Sequence, residues 1–307
     1  MLDNNQTKLE SAQDIYLIDK ARVRASFNRA AASYDASAIL QKQVSDEMLS
    51  RLNLVKIKPQ TILDAGCGTG HGSFSLQKRF SSAQVISLDI ALSMLQQTKL
   101  GRPFFNKLFG SHLLLGGDIE SLPIASSAIG LVWSNLALQW CNDLDAAFSE
   151  VTRVLQPNGL FMFSTFGPDT LKELRSATRM TNNQQSHSHV SRFIDMHDIG
   201  DALTRAGFSA PVLDVERYTL TYDNVMSVMQ DLKNIGARNA TQGRARGLQG
   251  RGFLQKLAQH YEQYRVDGKL PATFEVIYGH AWKSTNARSN QEDISPIIFN
   301  KNYKKSV

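Results

Sequence analysis

Residues 64–70 read D-A-G-C-G-T-G, with Gly66, Gly68 and Gly70 at every second position directly behind the apolar run Thr61-Ile62-Leu63. A glycine-rich turn leaving a strand lets the backbone approach a ligand closely, and it aims the amides of the next helix at that ligand. The spacing excludes two common ligand classes. A dinucleotide fingerprint, G-x-G-x-x-G, would need its last glycine or alanine where His71 stands, and a phosphate-binding loop would need Gly-Lys-Ser/Thr after the turn. Here the pattern is G-x-G-x-G, preceded by Asp64 and followed by Gly72.

Outward from this turn, short apolar runs alternate with helical periodicity. Strands are expected at 61–65, 84–88, 112–116, 128–134 and 159–165, and later at about 211–221 and 272–282. Helices are expected over most of 8–53, where Ile39, Leu40, Val44, Met48, Leu49 and Leu52 recur at a period near 3.6, and over 144–155 and 196–206. Pro157-Asn158-Gly159 is expected to turn the chain into the fifth strand, and Gly207 to end the helix before it. Such alternation implies a parallel sheet covered by helices on both faces. In such a sheet, ligands bind at the carboxyl ends of the strands. About 50 residues between the last two strands are helical in pattern and rich in Gly and Arg. An insertion there would overhang the sheet edge as a lid.

Composition narrows the classes further. The chain has 307 residues, 42% of them hydrophobic, and a formal net charge of +6. No apolar run approaches the roughly 20 residues of a membrane span. The first residues, MLDNNQTKLESAQD, have neither a secretory apolar stretch nor the Arg-rich, acid-poor character of a transit peptide, so a cytoplasmic protein is expected. The two cysteines, Cys67 and Cys141, supply no disulfide framework. The seven histidines show no metal-ligand spacing, no G-x-S-x-G nucleophile turn occurs, and no metal is expected. The segment from Trp282 onward carries Lys283, Arg288, Lys301, Lys304 and Lys305 against Glu292 and Asp293, half of the net charge.

The turn resembles the first motif of class I S-adenosylmethionine-dependent methyltransferases. Asp89 ends the second expected strand, where a carboxylate accepts both hydroxyls of a ribose. The resemblance implies cofactor contacts from Asp64, Gly66, Gly68, Gly70, Asp89 and Ile90. It places Asp118 on the adenine amino group with Ile119 packed on the ring, and the segment of Asn135 and Gln139 beneath the sulfonium. It also implies a seven-stranded, mostly parallel Rossmann-like sheet with an antiparallel last strand.

A finer resemblance rests on Phe27-Asn28-Arg29-Ala30-Ala31-Ala32-Ser33-Tyr34-Asp35, Gly117 to Pro123, Trp133 to Cys141, Arg192-Phe193, Leu232 to Ala237 and Phe274 to Trp282. These segments are similar to the malonyl-[acyl-carrier protein] O-methyltransferases of biotin synthesis, from about residue 22 to 283. The resemblance implies a helical cover (1–55), a cofactor-binding core (56–222), a helical lid (223–270), a final core strand (271–283) and a disordered tail (284–307). It implies methylation of the free carboxylate of malonyl-acyl carrier protein, the ester that primes pimeloyl synthesis. Tyr34, Gln139 and an inward-pointing Lys233 are expected to orient that carboxylate. The lid has Lys233, Arg238, Arg244, Arg246, Arg251 and Lys256 and no acid between Leu232 and Tyr261. Arg244, Arg246 and Arg251 are therefore expected to meet the acidic carrier. Arg238 and the long tail depart from the family pattern. A methyltransferase of a small carboxylic acid or quinone precursor, or a non-methylating assembly protein, are the alternatives. A nucleic-acid methyltransferase lacks support, since no Asn-Pro-Pro-Tyr motif occurs.

The chemistry suits such a chain. A carboxylate titrating near 4 is ionised at neutral pH and attacks a sulfonium methyl without a general base. Positioning alone is worth on the order of 7 to 11 kcal/mol. A clamp without a catalytic dyad is expected.

Overall fold

The computed structural model describes residues 17–102, 112–181, 193–237 and 250–285. Seven strands are present among them: β1 (Thr61–Ala65), β2 (Gln84–Asp89), β3 (His112–Gly116), β4 (Ile129–Asn135), β5 (Leu155–Phe166), β6 (Phe208–Tyr222) and β7 (Leu270–Lys283). They pair in the order β3-β2-β1-β4-β5-β7-β6. β3, β2, β1, β4 and β5 run parallel, and β7 lies antiparallel between β5 and β6. The seven-stranded, mostly parallel sheet with an antiparallel last strand matches the expected fold. The strand order reverses at β1 and β4, which opens the ligand crevice beyond their carboxyl ends.

Among the described residues three helices precede the sheet: α1 (Lys20–Ala30), α2 (Tyr34–Ser37) and α3 (Ile39–Leu52). The described part of the expected 8–53 helical stretch is thus divided by two breaks. Ser33 turns its N–H back to the Ala30 carbonyl, and Ala38 leaves helical geometry at φ −83°, ψ 42°. These breaks wrap the cover around the crevice, which one straight helix would not do. Residues 8–16 lie outside the described residues.

The remaining α-helices among the described residues are α4 (His71–Arg79), α5 (Leu92–Gly101), α6 (Leu144–Val154), α7 (Lys172–Thr181), α8 (Met196–Arg205), α9 (Val225–Asn234) and α10 (Arg251–Tyr261). Several start at side-chain caps that satisfy free N–H groups: Asp143 accepts from Ala146, Asp195 from His197 and Asn224 from Ser227.

Alternation along the strands sends side chains to both faces. Leu131 and Trp133 of β4 pack with Leu40, Val44 and Met48 of α3 on one face, together with Leu174 of α7 and Leu257 of α10. Val132, between them in β4, packs on the other face with Phe161 and Phe163 of β5, Phe148 of α6 and Leu203 of α8. Each such buried side chain contributes about 1.5 to 3 kcal/mol.

β5 begins earlier than its sequence pattern indicates. Its pairing with β4 jumps from Ile129↔Leu155 to Leu131↔Leu160, so Gln156 to Gly159 bulge out of the ladder. Asn158 sits there at φ +60°. The expected Pro157-Asn158-Gly159 turn is therefore a bulge inside the strand.

Candidate active site

The glycine turn is shaped by β2. Gly66 and Cys67 donate their N–H groups to the Leu88 carbonyl at 2.8 and 2.9 Å, and the Gly68 N–H reaches the Asp89 carboxylate at 2.9 Å. Gly66 holds φ +82°, and a Cβ there would lie 2.3 Å from the Ala137 Cβ. Only glycine leaves the crevice floor open at that position.

One cavity extends from this turn. Its polar end is lined by Gly66, Gly68, Asp89, Ile90, Asp118 and Ile119. Tyr34, Gln41, Asn135 and Gln139 form its middle, and Leu171, Leu174, Phe193, Leu232, Ile235 and Phe274 line an apolar far end. Asp64 faces an adjoining cleft shared with Gly66, Gly68, Tyr34, Gln41 and Asn135. The structure thus brings together most of the residues singled out in the sequence.

Two placements differ from expectation. Gly70 lines neither cavity. It caps α4 at φ +93°, where a Cβ would strike Thr98 Cγ2 at 2.7 Å, so it sets helix direction and does not form wall. Lys233 is exposed in the last turn of α9 and is not part of the cavity wall, contrary to its expected inward orientation. The reason is helical phase: Leu232 and Ile235, three apart, share the inner face, and Lys233 lies about 100° away from Leu232. Arg238, Arg244 and Arg246 lie outside the described residues, and of Arg251 only the backbone, at the start of α10, is described.

The polar end is electrostatically unusual. Burial pushes the Asp64 carboxyl up to about 7, against the Ser73 hydroxyl that donates to it at 2.5 Å, and the neighbouring Asp89 adds to the rise. Burial likewise raises Asp89 to about 6, although the Ala91 and Gly68 N–H groups stabilise its ionised form. Among the described residues neither carboxylate forms an ion pair. Tyr34, whose ring lies 3.8 Å from a Cβ built on Gly68, is held protonated by burial and by Asp89, so it cannot act as a base near neutral pH.

Sequence reasoning missed Lys20 and Gln41. Lys20 of α1 lines the cavity and pairs with Asp118 Oδ1 at 2.9 Å and with Glu120. Gln41 of α3 lines both cavities, and its buried Oε1 has no hydrogen-bond partner. Both belong to helices whose amphipathic patterns look like ordinary solvent-facing positions. Asn135 is fixed by donating to the Gln41 carbonyl at 2.9 Å and accepting from the Ser164 hydroxyl at 2.8 Å. Gln139 is held by its own bond to the Leu136 carbonyl and by the Thr165 hydroxyl at 3.3 Å.

Residues 63–163 match the family model described as the methyltransferase domain. The chain is 63% identical over 289 residues to a malonyl-[acyl-carrier protein] O-methyltransferase of Methylovorus sp. (strain MP688), covering 93% of this chain and 96% of that protein. It is 54% identical over 270 residues to the enzyme of the same name from Gallionella capsiferriformans, covering 87% and 92%. The chain belongs to the malonyl-[acyl-carrier protein] O-methyltransferase family. The fold is shared more widely. A putative methyltransferase from Bacillus halodurans superposes with a TM-score of 0.56 at 16% identity, over 78% of this chain and 99% of that one. The YcgJ protein of Bacillus subtilis gives 0.54 at 14% identity, over 78% and 98%.

A cofactor of this family must fit the residues present. S-adenosylmethionine carries an ammonium, a sulfonium and a ribose diol. Two buried carboxylates without cationic partners among the described residues, the orphaned Gln41 Oε1 and the floor kept open at Gly66 form a matching acceptor set.

Proposed function

We propose that this chain transfers the methyl group of S-adenosylmethionine to the free carboxylate of a malonyl thioester borne on an acyl carrier protein. The observation that carries the reading is one continuous cavity, polar and carboxylate-lined at the glycine turn, lined with apolar side chains elsewhere, and with Tyr34, Asn135 and Gln139 also in its wall. Relatives at 54 to 63% identity bear that activity in their names.

When bound, S-adenosylmethionine supplies the electrophilic methyl carbon, which the malonyl carboxylate takes with its own electron pair, giving a methyl ester and S-adenosylhomocysteine. The chain's part is to bind and orient. Asp89 accepts the ribose hydroxyls, Asp118 the adenine amino group, and Asp64 with Gln41 the ammonium. Ile90 and Ile119 pack on the adenosine. The acyl thioester lies along Leu174, Leu232 and Phe274, which exclude water from the nucleophile. No proton moves during transfer, so no general base is required, and the protonated Tyr34 is free to donate a hydrogen bond to the acceptor.

On this reading the ester would prime pimeloyl synthesis for biotin, methylation having removed the charge of the malonyl carboxylate. Carrier docking is assigned to the basic lid, through Arg244, Arg246 and Arg251, because an acyl carrier protein is acidic and complementary charge speeds encounter. Charge reversal at Arg246 and Arg251 is expected to slow methylation of malonyl-carrier protein, most steeply at low salt, and to spare malonyl-coenzyme A. An equal effect on both acceptors would remove the lid from carrier recognition. A protein that methylated small acids and neither thioester would refute the substrate assignment.

A further inference from the structure

A line of buried polar groups runs from the cofactor crevice along one face of the sheet to its edge strand, β3. The Ser73 hydroxyl of α4 donates to Asp64 Oδ2 at 2.5 Å. The Ser73 and Ser87 hydroxyls are 2.5 Å apart, and Ser87 Oγ lies 2.6 Å from His112 Nε2. All four residues are buried. The chain crosses β1, β2 and β3, where Asp64 and Ser87 are paired in register.

Each hydroxyl has one proton, which fixes direction. With Asp64 ionised, Ser73 must donate to it, so Ser87 must donate to Ser73. Ser87 then has no proton left for His112, and His112 must carry its proton on Nε2 and donate to Ser87. The other ring nitrogen, Nδ1, is buried and has no hydrogen-bond partner. It is an acceptor in this arrangement and carries no stranded proton. A protonated Asp64 removes the constraint, and the whole line is free to reverse.

We propose that Ser73, Ser87 and His112 are positioning residues that hold Asp64 ionised and oriented for the cofactor, with the tautomer of His112 set by the charge on Asp64. The inference rests on the reading that Asp64 contacts the cofactor's ammonium. His112 suits the end of such a line because burial, helped by Arg102, holds its own protonation down to about 4, leaving it neutral while Asp64 titrates. The other groups facing Asp64 are Asp89 and Cys67 from the β2 end and the glycine turn, and Tyr34, Asp35, Lys42 and His71 from the cleft wall. Arg102 and the edge-on Phe74 ring face His112.

Nitrogen-15 NMR of the histidine-labelled full chain tests the line. With S-adenosylhomocysteine bound, His112 is expected as the pure Nε2–H tautomer. In the free protein a mixture is expected to grow as pH falls through about 7, where Asp64 takes up its proton. Ser73→Ala is expected to give mixed tautomers at every pH and several-fold weaker cofactor binding, and Ser73→Thr to restore both. An Nδ1–H tautomer in the bound wild type, or a tautomer indifferent to pH and to Ser73→Ala, overturns the proposal. If Ser73→Ala does not fold, the wild-type titration alone decides it. A free-protein titration that follows this course but ignores added cofactor supports the line and refutes the contact between Asp64 and cofactor.

Discussion

The two ends of the cavity are built on different principles. The polar end is made largely by backbone, a turn with Gly66 and Gly68 at positive φ and the amides that follow it, together with carboxylate side chains at strand ends, all within residues 61–119. The apolar end is made by side chains from separate elements, Leu174 of α7, Leu232 of α9 and Phe274 of β7, together with Phe193. A site made by backbone tolerates few residue types. A site made by packing accepts any apolar residue of similar volume, so on the proposed reading the first end would hold the cofactor and the second would be free to set the acceptor.

The sharpest way to break this contrast is Gly66→Ala. The methyl group would meet the Ala137 Cβ at 2.3 Å in a left-handed backbone conformation. Overpacking costs about 1 to 3 kcal/mol and the backbone strain a further 1 to 3 kcal/mol or so. Thermal unfolding should show a much lowered midpoint, and calorimetry no cofactor binding.

Asp89→Ala comes next. It removes the acceptor of the Gly68 and Ala91 N–H groups and the proposed ribose contact. Hydrogen bonds to charged groups are worth roughly 1.5 to 3 kcal/mol, or about 10- to 150-fold in affinity. Unchanged affinity in a folded variant would remove Asp89 from the site.

A pH series sharpens the same end. Asp64 and Asp89 titrate near 7 and near 6 in the free protein, above ordinary carboxylates, so each favours the neutral form in the fold. Their contribution to free-protein stability is therefore greatest below about 4 and is lost as pH rises through 6 and 7. A cationic ligand reverses the preference. Cofactor affinity measured by calorimetry should rise with pH through this window and level off above it; an affinity that falls over the same range would contradict the assignment.

At the apolar end, Leu232→Ala should raise the acceptor KM several-fold and leave the cofactor Kd untouched, since Leu232 lines only the far wall. The smallest effect is expected from Lys233→Met. The side chain is exposed, and such substitutions usually stay within about 0.5 kcal/mol. A large loss of activity would restore Lys233 to the acceptor site.

The same contrast explains what could be read in advance. Gly66, Gly68, Asp89 and Asp118, which line one cavity as the sequence leads one to expect, occupy positions that positive φ, strand ends and ligand chemistry restrict to few residues. Gly70 has the same spacing but spends its conformation on capping α4. Leu174 and Phe274 look like core in the sequence, and they become cavity wall only because α7, α9 and β7 converge. Lys233 departs from the expected inward orientation by one step of helical phase, which periodicity over a ten-residue helix fixes poorly. The buried Ser87 and His112 do leave a trace, as polar residues inside apolar strands, but Ser87 lies 14 residues from Ser73 and 25 from His112, too far apart in sequence for the pattern to join them.

The central claim is that the cavity joins a sulfonium donor to a carboxylate. It is tested most directly by incubating the chain with methyl-labelled S-adenosylmethionine and malonyl-carrier protein, then treating the product with alkali. One label per malonyl group, released as methanol, and no transfer to a carrier whose malonyl carboxylate is replaced by an amide, is the expected result. Label that resists alkali, or that appears equally on carrier without malonate, would contradict the account.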